Sequence, residues 1–223
     1  PEILFTQGSY SMQFLMDNSL ISYAAQGGGR YRASDELISL YKKYESEGVV
    51  DLRNTAFLEP SSRYCPGFFF VRKSPDLSTK SGLAKVYDAC LIRSAEVYLN
   101  KAEAEAMLDK VEAVQTIKTL LNNRFEGGIP DVDGLSGKDL VSFIRDERRR
   151  ELCFEAHRWF DLRRYGMPSI SHKYKAKKVD SWLMFTLKEK DPLYTIPFST
   201  TMIMNNNRLE QNVSAYEPER KGI

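Results

Sequence analysis

The chain has 223 residues, 42% of them hydrophobic and 28% charged, with a formal net charge of +2. That is enough apolar chain for one hydrophobic core, so length and composition predict a single domain over residues 1–223. The near balance of charge gives no electrostatic reason for binding nucleic acid or an anionic membrane, and no stretch approaches the roughly 20 apolar residues that span a bilayer.

The first residues, Pro1-Glu2-Ile3-Leu4-Phe5, lack the basic start and cleavage site of a secretory signal. Opening without methionine at an extended run, the chain reads as a fragment or a processed product. Residues 6–33 and 166–194 read as long irregular connections, a length often associated with function. Gly27-Gly28-Gly29 in the first of them matches neither a P-loop nor the Gly-x-Gly-x-x-Gly spacing. Ser34 to Tyr44 reads as a short amphipathic helix, and Phe68 to Val71 as an extended run.

From Leu91 to Leu108 the apolar positions recur at helical spacing, with alanines placed to let a second backbone approach closely. After Asp109-Lys110 the pattern returns through Val111, Val114, Ile117, Leu120 and Leu121, which predicts an antiparallel hairpin of tetratricopeptide type. Residues 127–138 are rich in glycine and read as a loop, with Ser136 and Asp139 placed to cap the helix that follows. The fold class expected is mostly α: this hairpin and a long C-terminal helix, joined by irregular loops and a few short strands, of the α-α superhelix type.

The long helix carries the most informative run of the chain, Glu147 through Arg164. Leu140, Phe143, Ile144, Phe154, Leu162 and Tyr165 fall on one helical stripe, and Glu147, Glu151 and Arg158 fall on it too. Buried charges persist when paired and hydrogen-bonded. The stripe therefore predicts a structural ion cluster of Glu147, Glu151, Glu155, Arg158 and Asp161, with Arg158 clamped by carboxylates along its own helix. A catalytic or metal role is not indicated: His157 projects off the stripe, His172 is the only other histidine, and the His and Cys spacings of metal sites are missing. Cys65, Cys90 and Cys153 make an odd count without redox spacing, and Cys90 and Cys153 read as core thiols.

The run Glu147-Arg-Arg-Arg-Glu-Leu-Cys-Phe-Glu-Ala-His-Arg-Trp-Phe-Asp-Leu-Arg-Arg164 resembles the hallmark segment of the SusD/RagB proteins of Bacteroidetes. Leu91 to Ala104 resembles the helix opening that family's tetratricopeptide-like hairpin, and Ile196-Pro197 through Asn207, then Gln211-Asn212, resembles its C-terminal signature. Glu2-Ile3-Leu4-Phe5 and Asp51-x-Arg53 extend the likeness weakly to the start of the chain, and Ala156 departs from it, since a glycine is usual there. The resemblance covers the C-terminal part of such proteins. It implies a non-enzymatic, cofactor-free protein, lipid-anchored outside this chain at the outer membrane and facing outward. It also implies glycan capture and delivery to a SusC-like TonB-dependent transporter.

A glycan site needs aromatic faces beside polar groups. The loop from Thr6 to Tyr31 has that mixture, with Tyr10, Tyr23, Arg30 and Tyr31 as candidates; the other reading packs Phe14, Leu15 and Met16 inward under covering tyrosines. Trp182 is a further candidate at the rim of the basic stretch His172 to Lys178, although its apolar neighbours suit a core position, and the basic stretch itself reads as a solvated loop. The competing functions are a helical interaction scaffold and a peptide-uptake protein of the same family. No carboxylate pair marks a glycosidase.

Overall fold

The computed structural model of the protein describes residues 3–8, 33–60, 69–71, 88–174 and 180–222. Helices dominate these residues, and the strands are short and join only in pairs. The chain divides into two compact units, Pro1–His157 and Arg158–Ile223.

In the first unit, β1 (Ile3–Gly8) pairs antiparallel with a later strand, β5, described below. Helix α1 (Asp35–Lys42) starts at Ser34, whose Oγ accepts a hydrogen bond from Leu37 N at 3.3 Å. That cap satisfies one of the orphan donors of the first turn. Strand β2 (Val50–Asp51) leads directly into α2 (Arg53–Phe57) and β3 (Leu58–Pro60), which pairs with β4 (Phe69–Val71).

Strand β5 (Asp88–Arg93) runs into α3 (Ser94–Met107), so the helix expected from Leu91 begins three residues later. Leu91 and Ile92 continue the apolar pattern of the helix but belong to the ladder with β1. Helix α4 (Glu112–Leu121) completes the hairpin, and β6 (Phe125–Glu126) follows to pair with β2. At Gly127 the backbone φ is +80°, and a Cβ there would collide with the Gly48 carbonyl oxygen, so only glycine fits this turn.

Helix α5 (Gly137–Glu151) packs against α3, as α4 does from its other side. Ala95, Leu99, Ala102 and Ala106 meet Ala113, Ile117 and Leu121 of α4 and Leu140, Phe143 and Ile144 of α5 in one core. The alanines allow the close approach, and each larger side chain buried there contributes about 1.5–3 kcal/mol. The predicted Ser136 side-chain cap does not form; the Ser136 backbone carbonyl instead accepts from Asp139 N and Leu140 N.

The long charged helix is also broken. α5 stops at Glu151, residues 152–156 form a turn, and α6 (His157–Arg164) restarts on a new phase. Phe154 (φ +63°) and Ala156 (φ +64°) both occupy the left-handed region of the turn. Left-handed backbone costs a Cβ-bearing residue about 1–2 kcal/mol, partly offset because glycine loses about 0.4–1 kcal/mol more chain entropy on folding. Ala156→Gly is therefore expected to stabilise the protein by roughly 0.5–1 kcal/mol in urea unfolding, and a loss of stability would show that the left-handed turn is not strained.

The second unit holds α6, an antiparallel hairpin of β7 (Ile170–Tyr174) and β8 (Leu183–Leu187), and α7 (Thr200–Asn205). The connection read as irregular over 166–194 thus contains a hairpin, followed by a short 3-10 turn at Pro192–Tyr194 whose Leu193 N donates to Asp191 Oδ1 at 3.0 Å. Trp159 stacks on Tyr194 with ring centroids 5.1 Å apart. The C-terminal signature works as a backbone clamp: Gln211 Oε1 accepts from Phe198 N and Gln211 Nε2 donates to Phe198 O, both at 2.9 Å, while Asn212 Nδ2 donates to Ile196 O at 2.9 Å.

Candidate functional site

The charged run of α5 sits in a buried cluster in which Arg150 of the helix itself is joined by three cations from other segments. Arg53, at the start of α2, donates through Nε and Nη2 to the two oxygens of Asp51 at 2.8 and 2.7 Å. Its Nη1 reaches Glu147 Oε1 at 2.5 Å and Glu151 Oε2 at 2.9 Å. Arg150 forks onto Glu147 Oε2 at 3.0 and 2.6 Å. Arg124 donates to both oxygens of Glu151 at 2.9 and 3.1 Å. Arg93, at the end of β5, bridges Glu151 at 3.0 Å and Glu155 at 2.9 and 2.8 Å.

Asp51, Arg53, Glu147, Arg150 and Glu151 are all buried. Phe125, Phe143 and Tyr44 flank the guanidinium groups, with Arg53 5.3 Å from the Phe125 centroid and Arg150 5.9 Å from that of Phe143. These rings contribute cation–π attraction and keep water away. Burial pushes the Glu151 carboxyl up, but the Arg124 hydrogen bond and the charges of Arg53, Arg124 and Arg93 outweigh it and hold it at about 2. Burial likewise opposes ionisation of Glu147, and Arg53 and Arg150 hold it below the usual carboxylate range. A general acid needs a proton near working pH. Glu147 and Glu151 have none to give, and what the arrangement does is lock segments together.

Beside the cluster, Tyr41 Oη donates to the Arg150 carbonyl at 2.7 Å and lies 3.2 Å from Cys153 Sγ. Burial, and next the Cys153 thiol, push the Tyr41 hydroxyl far above its ordinary range, so it stays a neutral donor. Among the described residues, no group of three or more His, Cys, Asp or Glu side chains could hold a metal ion, and no helix is long and apolar enough to cross a membrane.

Of the residues the sequence assigned to the ion cluster, Glu147, Glu151 and Glu155 converge on guanidinium groups. Arg158 and Asp161 follow the turn at 152–156 on α6, and Asp161 accepts from Arg164 Nε at 3.0 Å. The cations missed were Arg53, Arg93, Arg124 and, on α5 itself, Arg150. Asp51-x-Arg53 was visible in the sequence as part of the family likeness, but nothing local to Arg93 or Arg124 marks either one. Tyr10, Tyr23, Arg30 and Tyr31 lie outside the described residues. Trp182 immediately precedes β8 and is 39% exposed, so its apolar neighbours do not draw it into a core.

A sequence model described as the SusD family matches residues 22–216. A SusD-like protein of Formosa agariphila is 41% identical over 79 residues, which is 32% of this chain and 16% of that protein. A SusD homologue from Bacteroides thetaiotaomicron superposes with a TM-score of 0.68 at 20% identity, covering 96% of this chain and 47% of that one. A SusD-like carbohydrate binding protein from Bacteroides vulgatus superposes with a TM-score of 0.58 at 19% identity, covering 93% and 48%. The chain thus spans about half the length of these two solved structures and shares their fold.

Proposed function

The chain belongs to the SusD family, and from that membership we propose that it forms part of a non-catalytic protein that binds a glycan at the bacterial cell surface. On this reading the glycan passes to a TonB-dependent outer-membrane transporter of SusC type, and a lipid anchor outside this chain holds the protein at the outer membrane. The observation that carries it is Trp182, a large aromatic side chain that remains 39% exposed in a fold shared with a carbohydrate-binding relative. Sugar rings stack on such faces through their apolar C–H surfaces. Tyr10, Tyr23, Arg30 and Tyr31 are the other candidate contacts.

Affinity electrophoresis through gels containing bacterial, plant and algal polysaccharides tests the proposal. The chain is expected to be retarded by at least one polysaccharide. That retardation is expected to weaken about tenfold or more when Trp182, Tyr10, Tyr23 or Tyr31 becomes alanine, the loss of roughly 1.4 kcal/mol or more of contact. Migration unaffected by every polysaccharide would sink glycan binding by this chain.

A second reading, a helical interaction scaffold, is favoured by Val97, Tyr98, Met107 and Leu108, which α3 and its C-terminal turn expose to solvent. Isolated exposed apolar residues are common, whereas a run of them on one helix suits a partner surface. A scaffold would lose its partner on substitution of Val97 or Leu108 and be indifferent to Trp182→Ala.

A further inference from the structure

We draw no further inference here: the strongest candidate, the exposed apolar patch that Met107, Leu108 and Val111 form at the tip of the α3–α4 hairpin, is an unpartnered face, and nothing in the structure shows what covers it.

Discussion

Replacing Arg53 with alanine is expected to destabilise the first unit by about 3–5 kcal/mol, the cost of leaving buried carboxylates without their counterion. Arg53 alone contacts three of them, Asp51, Glu147 and Glu151. All are shielded from water that might otherwise compensate the loss. In a unit of this size 1 kcal/mol shifts the melting midpoint by about 2–4 °C, so the variant should melt roughly 6–20 °C lower. Arg149→Ala supplies the contrast, because Arg149 pairs at 2.9 Å with Glu36, whose side chain is 65% exposed. Exposed pairs contribute less than about 1 kcal/mol. If Arg53→Ala melts within a degree or two of Arg149→Ala, the cluster is not holding the fold together.

Acidification should weaken the protein through the same carboxylates. Glu151 titrates at about 2 in the folded protein against 4.5 ordinarily. Above the ordinary value both folded and unfolded chains are ionised, and the stabilisation is fully present. Below it the unfolded chain binds a proton that the folded one refuses, so stability falls from about pH 4.5 down through about 2. A gap of that size corresponds to about 3 kcal/mol, and Glu147 shifts in the same direction and adds to the decline. Urea unfolding from pH 7 to pH 3 measures it. Glu151→Gln should be less stable at pH 7 and show a shallower decline in acid; parallel curves for the two proteins would remove Glu151 from the explanation.

The helices most legible in the sequence are those whose apolar periodicity is answered by burial: Leu37 and Tyr41 on α1, Leu99 and Ala102 on α3, Ile117 and Leu121 on α4. The charged stripe of α5 was legible for the opposite reason, since Glu147 and Glu151 stand where apolar residues should be. What spacing along one helix cannot reveal is a partner from another segment. Arg93 and Arg124 were therefore invisible as cations, Arg53 showed only through the family likeness, and spacing along the helix pointed to Arg158. The turn between α5 and α6 has no glycine or proline to announce it. Ala156 holds a left-handed position that a glycine would have flagged. The β7–β8 hairpin was hidden because Ser171, His172 and Lys173 bury nothing, so no alternation of apolar residues betrays the strand. Trp182 looked like core from its neighbours in sequence, yet a two-stranded hairpin has too little interior to take it in.

Glu151 draws its guanidinium groups from positions 27, 58 and 98 residues away along the chain. Such a carboxylate reports on assembly: it is comfortable only after the segments carrying Arg124, Arg93 and Arg53 have all arrived. A charge stripped of water before its partners reach it is costly, so the cluster is expected to close after the α3–α4–α5 core has formed. Contacts made after the rate-limiting barrier slow unfolding and leave the folding rate almost untouched. The cluster thus governs how long a folded molecule persists more than how quickly it forms.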